Sequence, residues 1–212
     1  MKLYTYFRSS CSYRVRIALG VKGLAWENAF VHLRRGEQRS AELLALNPQG
    51  LVPTLVDGDT VLGQSLAILE YLEERHPEPP LLPAGAAERA RVRQLAALVA
   101  CEIQPLQNQG VVELLRTEFG LSDPDVSRWI RIAIERGLAA VESLLDHAAT
   151  GACCHGEQPT LADVCLVPQV YNARRFGCDL SSFPSVRRID EHCTGLAAFA
   201  QAAPDAQPDA ES

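Results

Sequence analysis

No stretch of the 212-residue sequence is long and apolar enough to cross a bilayer. Its longest uncharged apolar run, Leu95 to Cys101, falls far below the ~20 residues that a spanning helix needs. The opening residues, MKLYTYFRSSCS, lack the apolar core and cleavage site of a signal peptide, so a cytoplasmic protein is expected. Positive charge is not in excess either. Lys plus Arg number 20 against 26 Asp plus Glu, a net charge of −6, which argues against a nucleic-acid binder that relies on a basic face. The seven cysteines, Cys11, Cys101, Cys153, Cys154, Cys165, Cys178 and Cys193, are odd in number and show neither C-x-x-C nor a zinc spacing. Reduced thiols are expected, with Cys153 and Cys154 read as loop thiols. The five histidines are scattered and read as surface residues. No metal site, Ser-His-Asp set or internal repeat is recognisable.

What is present is ordinary globular material. The apolar fraction is 47% and the charged fraction 22%, enough for a substantial core. At ~150 residues per domain the length allows one large domain or two small ones. Lys2 to Phe7 reads as a strand. Val15, Ala18, Leu19 and Lys22 then fall at helical spacing, with Gly23 as the stop. Trp26 to Val31 reads as a second strand and Ala41 to Leu46 as a short helix closed by Asn47-Pro48. Val52 to Val56 and Thr60 to Leu62 read as two strands about an Asp57-Gly58 turn. Ser65 is expected to cap a helix ending at His76-Pro77.

This β-α-β-α-β-β-α order predicts an α/β domain with a mixed sheet covered by helices. The proline-rich segment Pro77 to Gly85 is the best linker. The division expected is 1–82, a linker at 83–87, and an all-α domain at 88–212. In the second part, Val92, Leu95, Val99, Ile103 and Leu106 form one stripe with a kink at Pro105. Val126, Ile130, Ala133, Val141 and Leu145 form another. Thr160 and Asp163 make a capping-box variant ahead of the apolar run Val164 to Val167. From Pro204 onward the tail reads as polar and loose.

Three motifs can carry chemistry. Ser9-Ser10-Cys11-Ser12 lies between the first strand and first helix, where free N–H groups and the helix dipole favour an anion such as a thiolate. Serine hydroxyls there can donate to a sulfur and lower its pKa, or simply cap the helix. Val52-Pro53, if cis, can turn the Val52 backbone toward a ligand. Gln64-Ser65 opens the third helix, a place for a ligand carboxylate.

These residues together resemble the zeta class of glutathione transferases, the family that includes maleylacetoacetate isomerase. The resemblance rests on FRSSCSYRVRIAL at 7–19, ALNPQGLVPTL at 45–55, GQSLAILEYLEE at 63–74, IQPLQN at 103–108 and TLADVCLVPQV at 160–170. It implies a thioredoxin-like domain joined to a helical domain, a homodimer, and glutathione as cofactor. Ser9, Ser10 and Cys11 would surround the glutathione sulfur as catalytic residues, with Ser9 or Ser10 stabilising the thiolate. Ser12, Tyr13, Arg14, Gln38, Val52, Gln64, Ser65, Gln104 and Asn108 would complete the glutathione pocket. Gln109 and Gly110 lie in the same stretch but depart from the family's commoner residues.

The activity so implied is cis–trans isomerisation of maleylacetoacetate to fumarylacetoacetate. A double bond conjugated to a carbonyl cannot rotate until a thiolate adds to it, and elimination then restores the alkene. Charge developing on the carbonyl oxygen and the carboxylates of a small dicarboxylate substrate need cations nearby. Arg8 and Arg175 match positions suited to this, with Arg174 as an alternative. Related enzymes act on maleylpyruvate and tend to carry a histidine where this chain has Gln104, and arginines where it has Gln109 and Gly110. General glutathione transfer or dehalogenation, and a non-catalytic glutathione-binding module, are the other readings.

Overall fold

The computed structural model describes residues 1–211, arranged in two compact units. The first comprises Met1–Leu81 together with the chain from Gly195 onward, and the second Leu82–Thr194.

In the first unit, β1 (Lys2–Thr5) pairs in parallel with β2 (Glu27–Phe30) and antiparallel with β3 (Thr54–Asp57), and β3 pairs antiparallel with β4 (Thr60–Gly63). The order is β2-β1-β3-β4. This is the mixed sheet that the strand and helix order predicts, and the thioredoxin-like domain that the resemblance implies. Between strands run α1 (Ser10–Val21), α2 (Ala41–Leu46) and α3 (Ser65–Arg75). Gly23 stops α1 with φ near +63°, and the Leu24 N–H closes back on the Leu19 carbonyl, a left-handed turn suited to glycine.

α1 is buried almost all round, because α3 and the C-terminal α9 (Ala197–Ala202) both pack on it. Gly20 permits close passage there, since a Cβ would stand 3.3 Å from that of Ala198. Arg14 and Arg16 of α1, and Lys22 at its C-cap, are consequently inside. Lys22 meets Glu73 at 2.8 Å and donates to the carbonyls of His76 and Pro79. Glu73 in turn accepts the Leu81 N–H. The start of the proline-rich segment is therefore fastened to the first unit, and the boundary falls at 81/82.

The tail is a correction. It was expected to be loose and to belong with the helical part. Instead it is anchored in the first unit: Pro204 and Gln207 are buried, and Asp209 accepts the Phe7 N–H. The second correction is His32, read as a surface residue. Its ring packs on that of Tyr6 and pairs with Glu211, which Arg34 also contacts.

The second unit is helical: α4 (Ala86–Ala97), α5 (Gln109–Thr117), α6 (Asp123–Leu145), α7 (Leu161–Arg175) and α8 (Pro184–Thr194). The stripe from Val92 to Ile103 is buried, but Leu106 is exposed. The reason is a change of pitch: a wide π-type turn at Leu98–Ile103 followed by a tight turn at Gln104–Gln107 rotates Leu106 off the stripe. In α6 the buried line is Val126, Ile130, Ile134, Leu138, Val141 and Leu145, so Ile134 replaces the expected Ala133. Gly137 admits Ile103, whose side chain occupies the place where a Cβ would sit.

Candidate active site

The start of α1 is the centre of the site. Ser9 is the N-cap: its hydroxyl oxygen accepts the Ser12 N–H at 3.1 Å, leaving its own proton to donate elsewhere. Ser9 and Cys11 are half-exposed, whereas Ser10 is only 6% exposed. Ser12 and Tyr13 are fully inside. The Ser12 hydroxyl is buried without a partner, and the Tyr13 hydroxyl turns to the Phe199 carbonyl. Arg8 lies half-exposed over the Phe7 ring.

Arg14 departs most from ordinary practice. Its side chain is 1% exposed, with Nη1 3.1 Å from the Ser65 hydroxyl and 3.9 Å from Cys11 Sγ. Nε and Nη2 are buried without partners. No carboxylate pairs with it among the described residues. A desolvated, unpaired cation is costly, and here it joins the starts of α1 and α3, where an anion would complete it.

Ser65 is not the cap of α3 that its type and position predict. Gln64 holds that position, with φ +64° and no side-chain cap bond, while Ser65 is the first helical residue. The helix opens one residue early because its hydroxyl accepts from Arg14 instead. The first-turn N–H groups of α3 thus have no side-chain cap, as an anion site requires. A positive φ in a glutamine is strained by ~1–3 kcal/mol and clusters at functional positions. Gln64 Nε2 reaches Gln49 Oε1 at 2.8 Å.

The loop before β3 is set by Asn47. Its amide donates to the Leu51 carbonyl and the Thr54 hydroxyl, both at 3.0 Å, and its oxygen accepts the Gln49 N–H. The Val52-Pro53 bond is cis, as is Glu78-Pro79. Val52 lies outside the paired residues of β3, so its backbone is not used by the sheet ladder. Gln38 is half-buried nearby, close to Gly50, with its amide oxygen unpartnered.

The remaining sequence-predicted residues belong to the second unit. Gln104 is half-buried, and Asn108 caps α5 by accepting the Gly110 N–H at 3.0 Å. Gln109 and Gly110 are exposed. Arg175 is exposed at the end of α7, over the Phe176 ring. Arg174 is occupied, pairing at 2.6 Å with Asp190. Burial pushes the Asp190 carboxyl up, against the pull of Arg174.

Several residues escaped sequence reasoning. Asn47 was read only as the end of a helix. Gln107 is buried and donates to Gln169 at 2.6 Å, a contact 62 residues apart in sequence. Cys153 and Cys154, expected as loop thiols, are buried. Cys153, Asp163 and Cys193 place their ligand atoms within 4.8 Å of one another. Asp163 nevertheless has a structural job, accepting the Thr160 N–H and hydroxyl and the Cys154 N–H. Burial and the adjacent carboxylate hold the Cys154 thiol well above its ordinary pKa.

A thioredoxin-like sheet, a cis-proline loop and two adjoining helix starts over a buried arginine make up this module. Comparison with known proteins gives that module a family. Residues 3–80 match the glutathione S-transferase N-terminal domain. The maleylacetoacetate isomerase of Pseudomonas aeruginosa is 51% identical over 212 residues, covering 99% of this chain and 98% of that protein. A bacterial maleylpyruvate isomerase described as a zeta-class glutathione S-transferase superimposes with a TM-score of 0.97 at 48% identity, over 100% of both chains. The maleylacetoacetate isomerase of Methylobacterium extorquens, solved with malonate and glutathione, gives 0.97 at 42% identity, again over 100% of both chains. The chain belongs to the zeta class of glutathione S-transferases, the maleylacetoacetate isomerase family.

Proposed function

We propose that the protein is a glutathione-dependent isomerase that converts maleylacetoacetate to fumarylacetoacetate, working in the cytoplasm as a homodimer. The observation that carries this reading is the buried Arg14 guanidinium, lacking a countercharge and joining Cys11 to Ser65. A tripeptide bearing a thiolate at one point and a carboxylate at another answers both ends. Bound glutathione supplies a thiol that, once ionised, is the nucleophile needed to make a conjugated double bond temporarily single.

The chain's residues prepare that thiol. Ser9 donates its hydroxyl proton, which the cap bond to Ser12 leaves free, while the start of α1 and Arg14 add positive potential. Lowering a thiol pKa by two units requires ~2.7 kcal/mol, within the range of one or two hydrogen bonds to a charged group, each worth about 1.5–3 kcal/mol. Ser9 is favoured over Ser10 by its exposure, and Cys11 lines the same corner. The α3 start with Gln64 and Ser65 holds the γ-glutamyl carboxylate. The Val52 backbone pairs with the cysteinyl peptide, and Gln38 binds farther along the tripeptide. Ser12 and Tyr13 support the helix from within. Arg8, half-exposed beside the serines, receives a substrate carboxylate. The Methylobacterium relative, crystallised with the dicarboxylate malonate, supports a dicarboxylate substrate.

Maleylpyruvate is the second candidate substrate, favoured by the likeness to a maleylpyruvate isomerase. Turnover of each maleyl substrate with glutathione separates the two, and maleylacetoacetate is expected to give the higher kcat/KM. Glutathione binding without isomerisation of either would overturn the proposal.

A further inference from the structure

The tail reaches the thiol site through a single backbone peptide. Asp209 Oδ2 accepts the Phe7 N–H at 3.0 Å, across 202 residues of sequence. The Phe7 carbonyl is held from the other side by Arg16 Nη2, also at 3.0 Å. Arg16 is 0% exposed. It further donates to the Tyr6 carbonyl, the Thr5 hydroxyl and the Ala202 carbonyl. Burial lowers its pKa to about 10, partly offset by Asp209. The Tyr6 carbonyl also accepts the Ser9 N–H at 3.0 Å. Phe7, two residues before the Ser9 cap, is thus gripped at both its N–H and its C=O, one grip coming from α1 and the other from the tail. Asp209 is itself steadied on either side, by the turn that Gln207 closes and by Glu211 against His32 and Arg34.

We infer that Asp209 is a positioning residue for the thiol site: by accepting the Phe7 N–H it fixes the exit of β1, and so the place of the Ser9 hydroxyl. The inference rests on the reading that Ser9 donates to the glutathione thiolate. Without the tail's acceptor, the Phe7 N–H has no partner and Arg16 alone orients the peptide. A hydroxyl displaced by a fraction of an ångström loses much of its hold on a sulfur anion, since errors near 1 Å in such sites reduce rates by about a hundredfold.

The test uses full-length Asp209→Ala and Asp209→Asn proteins, each checked by thermal unfolding. The ultraviolet absorbance of bound glutathione thiolate and kcat are followed against pH. Asp209→Ala is expected to raise the pKa of the bound thiol by about one unit and lower turnover near neutrality about tenfold, with the rate recovering at higher pH. A loss of folded protein alone would lower the rate without moving that profile. Asp209→Asn keeps an oxygen acceptor and is expected to restore both readouts. If the alanine protein does not fold, Asp209→Glu, with its acceptor displaced, replaces it with the same direction of shift expected. An unshifted titration in the alanine or glutamate protein, or an asparagine protein as impaired as the alanine one, overturns the inference and leaves Ser9's role standing. Absence of any bound thiolate in the unsubstituted protein overturns both.

Discussion

Two helix starts in this molecule lie beside cysteines and oxygen-bearing side chains, and they are opposites. At α1, Cys11 is half-exposed, its neighbours are hydroxyls, and the nearest charge is the Arg14 cation. At α7, Cys153 and Cys154 are sealed in, and the nearest charge is the Asp163 carboxylate, which spends itself on three hydrogen bonds. An exposed thiol corner facing a cation favours an anion, and a dry one facing a carboxylate forbids it. Composition alone does not distinguish them. The sign of the adjacent charge and access to solvent do.

The sharpest way to break the contrast is to give α1 the charge of α7. Ser9→Asp keeps a good N-cap but sets a carboxylate against the sulfur. Turnover should fall at least about a hundredfold with the thermal midpoint nearly unchanged, and the paired measurements of melting and rate check it. The converse change is Asp163→Ala. Three donors lose their acceptor in the core, so stability should drop by about 2–4 kcal/mol in denaturant titration, while turnover per folded molecule holds. Gln64→Gly acts on the third helix start, that of α3. Relief of the positive φ should stabilise the fold by roughly 1 kcal/mol, and loss of the amide should weaken glutathione binding about fivefold, read by calorimetry.

The smallest effect is a slope. The Cys154 thiol is held up in the folded state by burial and Asp163. It remains neutral there while the unfolded chain ionises above about pH 8.5. Its contribution is therefore fully present below that pH and is lost as pH rises. Stability should decline more steeply on the alkaline side in the unsubstituted protein than in Cys154→Ser, as unfolding curves at a series of pH values would reveal.

The contrast also explains what the sequence disclosed. The order of strands and helices, the extent of α2 and the Thr160-Asp163 start of α7 follow from local spacing and capping, which a linear reading detects. Ser9-Ser10-Cys11 was legible as a helix start because the motif is contiguous. Arg14 and Arg16 gave no sign of being inside. Arg16 is held by α9, which arrives from the far end of the chain, and Arg14 by Ser65 of α3, 51 residues away. Asp209 looked like part of a solvated tail for the same reason, since its partner is Phe7. Ser65 resembled a cap until the Arg14 contact assigned its hydroxyl elsewhere. The unread portion consists of tertiary bonds between distant residues, concentrated where polar groups are buried.

The assignment of Gly195 onward to the first unit bears on synthesis. A ribosome releases the strands and α1 early, yet α9, which covers one side of α1, emerges only after every helix of the second unit. That unit is begun first and finished last, so a nascent chain cannot complete it before its helical half has been translated.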